Sequence, residues 1–141
     1  MGNEDRPLED SPPSFAVPAV PVAIGVDLIE RTRVMRSYAR FGERFLRRVF
    51  TVTELEQAGY QVERLVGRFA AKEACSKALG TGMITVAWRE IEIIRGTGGK
   101  PVIRLNGRAA ARAQMLGLTA FDVSISDTQD YAMAVVVAIH G

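Results

Sequence analysis

The spacing of apolar positions predicts helices in the first half of the chain and strands in the second. Residues 22–27 are short, apolar and rich in branched side chains, which is typical of a buried strand that ends on Asp27. Residues 31–41 and 43–49 place apolar side chains at helical spacing among arginines. The chain therefore starts with a strand and continues into two basic helices.

Two further helices are expected before the pattern changes. Thr53, followed by acids in the next turn, resembles a capped helix start, and Gly59 is expected to end that helix. The central helix is predicted over 62–79, with Gly80 just beyond its end.

The second half alternates with the period of strands. Residues 88–94 and 100–105 flank a glycine-rich turn and predict a hairpin. A short helix is expected over 108–116, followed by strands at 121–126 and 131–139. The last strand is apolar on both faces, which favours a central position in the sheet. Helices followed by antiparallel strands give an α+β class.

Length and composition indicate one domain. Its 141 residues are 48% hydrophobic and 24% charged, which is ordinary for a globular chain. We expect residues 1–21, with their prolines and acids, to be a flexible tail, and 22–141 to be the domain. Prolines and an acid interrupt the apolar stretch near the start, so no membrane span or membrane partner is expected. A single cysteine, Cys75, favours a cytoplasmic location.

Positive charge is concentrated in one segment. The formal net charge is only +2, yet seven arginines and two acids lie between Leu28 and Phe50. This segment is a candidate docking surface for an acidic partner.

The central helix carries the clearest candidate chemistry. At helical spacing, one of its faces presents Lys72, Glu73, Ser76 and Lys77, and alanines occupy the opposite face. A carboxylate beside lysines could hold a divalent cation and a polyphosphate. The alternative is that Glu73 and Lys77 form an ordinary surface pair four residues apart.

Other candidate residues also allow two interpretations. Asp27 could supply a second cation ligand, or it could cap a helix or form a turn. Gly80–Gly82 could bind an anion or could only end the helix, and Gly99–Pro101 could be a basic site or a solvated hairpin tip. The single histidine, His140, lies one residue from the end of the sequence, which disfavours a serine or cysteine nucleophile paired with histidine.

Several motifs, taken in order, resemble one family over roughly residues 22–139. They are IGVDLIE (24–30), RRVFTVTELE (47–56), GRFAAKEACSKALGTG (67–82), IEI followed by GKP, and DVSISDTQDYAMAVVV (122–137). The chain is identified by these motifs as similar to the holo-acyl-carrier-protein synthases, the small class of 4'-phosphopantetheinyl transferases. The resemblance implies an antiparallel sheet packed around a long central helix.

The resemblance also implies a reaction. Coenzyme A would donate 4'-phosphopantetheine to a serine of an acyl or peptidyl carrier protein, with adenosine 3',5'-bisphosphate as the second product. Asp27 and Glu73 would hold Mg²⁺, and Lys77 would neutralise charge on the leaving phosphate. The residues implied for the coenzyme A site are Arg68, Lys72, Ser76, Gly80, Thr81, Gly99, Lys100 and Pro101.

Two partners follow from the same resemblance. Carrier proteins are acidic and would dock on Arg33, Arg40, Arg44, Phe45 and Arg48, whereas nucleic acid is not expected to bind. A homotrimer with active sites between subunits is also implied.

The chain departs from the family at Asp122, where many relatives have histidine. A binding module that recognises an acidic protein or nucleic acid through its arginines is the alternative function.

Overall fold

The structure is a computed structural model, and it describes residues 22–141. The predicted tail, residues 1–21, lies outside the described residues. The strands are β1 (Val22–Glu30), β2 (Ile91–Arg95), β3 (Pro101–Leu105), β4 (Leu118–Asp127) and β5 (Tyr131–His140). The α-helices are α1 (Arg31–Phe41), α2 (Glu43–Val49), α3 (Val52–Gln57), α4 (Val66–Ala78) and α5 (Gly107–Leu116).

The strands form two antiparallel sheets. The larger has the order β1–β5–β4, so the apolar strand β5 is central, as its composition predicts. The smaller is the hairpin of β2 and β3. Helix α4 packs across β1 and β5 and also contacts α1, whereas α3 packs on β2 and α5 on β4. The predicted α+β fold is confirmed.

Alanine side chains allow α4 to lie close to the larger sheet. Ala70, Ala71 and Ala74 are completely buried in the contact. The closest approach is at Gly25 of β1, where a Cβ atom would lie 1.9 Å from the backbone oxygen of Ala74. Only glycine is compatible with this backbone contact, because any side chain would overlap the helix.

Two predicted helix starts are wrong by a few residues. Helix α3 is capped by Thr51, not Thr53, because the Thr51 hydroxyl accepts from the Glu54 amide and the Glu54 carboxylate accepts from the Thr51 amide. Helix α4 starts at Val66, since Val62–Arg64 form a separate 3₁₀ turn.

The strand boundaries also differ from the sequence pattern. Residues Trp88–Glu90 form a 3₁₀ turn in which the Glu90 carboxylate accepts from the Ala87 amide, so β2 starts at Ile91. Strand β4 begins at Leu118, three residues earlier than predicted. Within residues 22–141, none of the helices has both the length and the apolar character that crossing a membrane requires.

Candidate active site

Asp27 faces helix α4 from the middle of β1. Side chains alternate across a strand, so Asp27 lies on the same face as Gly25 and Ile29, and that face is buried. Asp27 as a whole is only 8% exposed. One carboxylate oxygen, Oδ1, accepts a hydrogen bond of 2.9 Å from Lys77 Nζ. The other, Oδ2, is buried and has no hydrogen-bond donor among the described residues.

Glu73 meets Asp27 from α4. Both of its oxygens accept from Arg33: Oε1 from Nη2 at 2.9 Å and Oε2 from Nη1 at 3.3 Å. Burial raises the pKa of Glu73 to about 7, the neighbouring Asp27 carboxylate adds to the rise, and Arg33 opposes it. Asp27 and Glu73 therefore lie close together in a largely buried space, where two negative charges would repel.

The two carboxylates fit a divalent cation. A buried oxygen without a donor is costly, and a bound cation would satisfy Asp27 Oδ2 and relieve the repulsion from Glu73. Within the described chain, no third Asp, Glu, His or Cys side chain joins the pair as a possible ligand. Water or substrate oxygens can supply further ligands, which is the usual way in which Mg²⁺ is held.

Lys77 lies beside the carboxylates and remains accessible. Its ammonium group donates to Asp27 Oδ1 and, at 3.0 Å, to the backbone oxygen of Val26. The side chain is about half exposed. It can therefore present positive charge to a phosphate group bound next to the carboxylates.

A basic region lies at the start of α4, at the opposite end of this helix from Lys77. A cavity of about 980 Å³ is bordered by the start of α4, the β2–β3 turn and β4. Its lining includes four of the predicted coenzyme A residues: Arg68, Gly99, Lys100 and Pro101. Two further arginines that the sequence did not single out, Arg64 and Arg95, also line the cavity, and its acidic residues are Glu63, Asp122 and Asp127.

Arg68 and Lys100 are both held in place at this cavity. The guanidinium of Arg68 donates to the backbone oxygen of Glu54 at 2.9 Å and to Gln57 Oε1 at 3.1 Å. Lys100 lies 3.0 Å from Asp122 Oδ1, and its hydrogen bond lowers the pKa of Asp122. Asp122 is therefore an ionised partner of Lys100 at the cavity wall.

The structure corrects the prediction for Lys72. Its side chain is 0% exposed, and its ammonium group donates to Glu54 Oε1 at 2.7 Å and to the backbone oxygens of Trp88 and Ile91. Burial lowers the pKa of Lys72, and the Glu54 carboxylate opposes this. All three donors are occupied inside the protein, so Lys72 stabilises the core and does not line the cavity.

Ser76, Gly80 and Thr81 are likewise not placed at the cavity. Ser76 is buried and donates to the backbone oxygen of Glu73 at 2.6 Å. The amide of Gly80 donates to Lys77 O and that of Thr81 to Ser76 O, which are helix-ending contacts. These amides are already satisfied within the helix end, as the simpler interpretation of this turn predicts.

The predicted docking residues form two groups. Arg40, Arg44 and Arg48 are exposed on α1 and α2. Arg33 instead binds Glu73, and its guanidinium also lies over the Phe69 ring, 5.2 Å from the centroid. Phe45 is half-buried and packs against Phe50 and Phe69, so only part of its ring is accessible.

The arginine contact with Glu73 was missed by the sequence analysis. Arg33 and Glu73 are 40 residues apart, and no local pattern connects them. The buried partner of Lys72, Glu54, was also missed as a charged residue of the core. Its position three residues after Thr51 was the available signal, because it identifies Glu54 as part of a capping box.

Comparison with known proteins identifies the family. Residues 23–136 match the model of the 4'-phosphopantetheinyl transferase superfamily. A holo-[acyl-carrier-protein] synthase of Herpetosiphon aurantiacus is 45% identical over 122 residues, covering 82% of this chain and 96% of the relative. The corresponding synthase of Koribacter versatilis is 44% identical, covering 80% and 94%.

Solved structures agree with the sequence match. The holo-[acyl-carrier-protein] synthase from Neisseria meningitidis has a TM-score of 0.75 and 35% identity, covering 82% of this chain and 96% of its own. The Helicobacter pylori synthase, solved in complex with coenzyme A, has a TM-score of 0.74 and 30% identity, covering 82% and 98%. The paired carboxylates, the ordered motifs and these similarities together show that the chain belongs to the 4'-phosphopantetheinyl transferase superfamily.

Proposed function

We propose that the protein is a holo-acyl-carrier-protein synthase, which transfers 4'-phosphopantetheine from coenzyme A to a serine of an apo carrier protein. The observation that carries this proposal is the pairing of Asp27 and Glu73, with a buried unsatisfied oxygen, beside the accessible Lys77. This is a suitable site for a cation and a phosphate in a chain of the transferase family.

The reaction exchanges one phosphorus–oxygen bond for another. The serine hydroxyl attacks the phosphorus that carries the pantetheine group, and the bond from that phosphorus to the oxygen of the leaving adenosine 3',5'-bisphosphate breaks. Mg²⁺, when bound, supplies positive charge to the pyrophosphate oxygens. Lys77 adds charge at the same place, and the serine proton passes to a carboxylate of the site or to a nearby water.

Coenzyme A has a second basic contact at the cavity. Arg68 and Lys100 line it together with Arg64 and Arg95, so the cavity suits the negatively charged phosphates of the nucleotide. Asp122 binds Lys100 and reduces the positive charge available there. We therefore expect Asp122 to weaken phosphate binding compared with a neutral residue at this position.

The carrier protein would dock on the exposed arginines. Arg40, Arg44 and Arg48 provide a basic surface without any ion-pair partner among residues 22–141. An acidic carrier, whether acyl or peptidyl, would be attracted to this surface, and salt would slow its association. Association with the carrier should therefore be faster at low ionic strength.

A homotrimer is supported by the outer face of the larger sheet. Ile24, Val26 and Leu28 of β1 lie beside Met133 and Ile139 of β5, and all five are exposed in the single chain. A contiguous apolar face of this kind usually marks an interface. The basic cavity borders the same face, so a neighbouring subunit would help to enclose the coenzyme A.

The buried, unpaired Cys75 suits a cytoplasmic location.

Mass spectrometry tests the transfer directly. The protein is incubated with coenzyme A, Mg²⁺ and a panel of apo acyl and peptidyl carriers, and one carrier should gain about 340 Da by this phosphoryl-transfer chemistry. Glu73→Gln should abolish the gain. Glu56→Gln, an exposed acid on α3, is the matched control and should retain it. Failure to modify any carrier would contradict the proposed function.

A further inference from the structure

Arg33 binds Glu73, one of the two carboxylates of the candidate cation site. Its guanidinium binds both oxygens of Glu73, at 2.9 and 3.3 Å. Each Glu73 oxygen keeps a second lone pair, but a cation that binds there would lie close to the positive charge of Arg33 and would be repelled by it. Arg33 was predicted to contact the carrier protein, but here it neutralises a residue of the catalytic machinery.

The counterions of the two carboxylates match the charge of a divalent cation. Arg33 pairs with Glu73 and Lys77 pairs with Asp27, so two positive charges lie next to two negative ones. The match is incomplete, because Asp27 Oδ2 is buried and has no donor among the described residues. A divalent cation could contact this oxygen directly and would compete with the side-chain counterions.

Arg33 and Lys77 differ in what holds them. Each donates two hydrogen bonds, but both bonds of Arg33 go to the Glu73 carboxylate, whereas Lys77 is also fixed by the backbone oxygen of Val26. The only further contact described for the Arg33 guanidinium is with the ring of Phe69. Over half of the Arg33 side chain is exposed, and it projects from α1, the helix that also carries the docking candidate Arg40. Arg33 can therefore leave Glu73 and remain on the docking surface.

We propose that Arg33 is an exchangeable counterion: it neutralises Glu73 until a divalent cation binds, and the cation then releases it to contact the acidic carrier protein. This inference rests on the proposed function. Cation and carrier binding would then be linked, and the linkage is reciprocal: each would increase the affinity of the other. The cation would prepare the docking surface as well as the reacting phosphate.

Cation binding by the free enzyme provides the first test. Mn²⁺ is titrated by electron paramagnetic resonance into the full-length protein with saturating coenzyme A and no carrier, so that no turnover occurs. Arg33→Ala should bind Mn²⁺ about fivefold more tightly, the factor that corresponds to removal of a competing exposed ion pair. Arg36→Ala removes the same charge from an exposed position of α1 and should bind like the original protein.

These outcomes separate the inference from the function on which it rests. Equal Mn²⁺ affinity in Arg33→Ala and the original protein would overturn the exchange, and so would equal tightening in Arg36→Ala. Absence of coenzyme A-dependent Mn²⁺ binding in the original protein would overturn the proposed cation site and the exchange together.

Carrier binding provides the second test. The probe is a carrier whose acceptor serine is replaced by alanine, titrated calorimetrically with coenzyme A present, with and without Mg²⁺ at matched ionic strength. Mg²⁺ should strengthen carrier binding to the original protein and to Arg40→Ala, but not to Arg33→Ala. A Mg²⁺ effect that persists in Arg33→Ala would overturn the release of Arg33 to the carrier.

Discussion

Asp27 and Glu73 are held in an unfavourable arrangement in the absence of a cation. Both carboxylates are largely buried, their charges repel, and one oxygen of Asp27 has no donor among the described residues. Arg33 and Lys77 reduce the cost but do not remove it, since the pKa of Glu73 still rises to about 7. The arrangement of these two carboxylates lowers the stability of the folded protein, but it leaves a site that can bind a cation.

The raised pKa of Glu73 predicts a pH dependence of stability in metal-free buffer. Its ordinary pKa is 4.5, so the folded chain binds more protons than the unfolded chain between pH 4.5 and about 7. The free energy of unfolding should therefore fall as the pH rises through this range, by about 1 to 2 kcal/mol. Urea denaturation at several pH values measures this loss.

Two variants test whether this pH dependence of stability arises from Glu73. Glu73→Gln cannot ionise and should flatten the pH dependence between pH 4.5 and 7, whereas Glu56→Gln should preserve it. An unchanged slope in Glu73→Gln would show that the pH dependence arises elsewhere in the protein.

The interpretation of Lys72 as a core residue also makes a prediction. Lys72→Met leaves the buried Glu54 carboxylate without its partner, so unfolding should require about 3 kcal/mol less free energy. The KM for coenzyme A of the folded fraction should be unchanged. A higher KM with unchanged stability would restore Lys72 to the coenzyme A site; denaturation curves and steady-state kinetics distinguish the two results.

At the scale of elements, the contact between β1 and α4 places the two carboxylates together. Asp27 follows Gly25 by two residues on the same face of β1, and Glu73 precedes Ala74 on α4. The backbones approach closely at Gly25 and Ala74, which brings the carboxylates on either side into one site. The glycine of the IGVD motif is therefore required for the geometry of the site.

Gly25→Ala tests the close contact between these elements. The added Cβ would overlap the backbone of α4, and neither backbone can move without disturbing the core. We expect a loss of at least about 3 kcal/mol in the free energy of unfolding, or no folded protein. In the control Gly59→Ala, φ is +62° and the added Cβ would meet no atom within 4 Å. The free energy of unfolding should therefore fall by only about 1 kcal/mol. Similar losses of unfolding free energy in both variants would show that the backbone contact at Gly25 does not require glycine.

At the scale of the whole molecule, the described chain exposes an apolar sheet face next to a basic cavity. The outer side chains of β1 and β5 are largely aliphatic, and β4 adds Asp122 and Ser124 at the border of the cavity. A single copy leaves this face in water, which is unfavourable. Association of copies would bury the face and enclose the cavity at the same time.

Val26→Glu should therefore prevent assembly and reduce coenzyme A binding. Val26 is 52% exposed in the single chain, so the substitution should cost little in a monomer but would place a charge inside the proposed interface. Val52, on α3, is 58% exposed and lies away from this face, and Val52→Glu is the matched control. Light scattering should give a trimer mass for the control and a monomer mass for Val26→Glu. A trimer mass for both would place the interface elsewhere.

The sequence by itself determined the type and order of the elements, because local apolar spacing reflects which faces are buried. Strand β5 could be recognised as central from its apolar residues on both faces, and α4 as buried from its alanines. Asp27 and Glu73 could be proposed as a pair because the motifs that contain them resemble those of a known family. Element ends were less certain, since the cap at Thr51 depends on which side chain reaches which amide.

Only the tertiary structure decided which partner each charged side chain meets. Lys72 and Lys77 lie on the same polar face of α4, yet one is enclosed by α3 and β2 and the other reaches Asp27 and solvent. Arg33 belongs by sequence to the exposed basic helix, yet it binds Glu73. Helical periodicity sets the direction of a side chain, but burial and pairing depend on elements that are distant in sequence and pack against it.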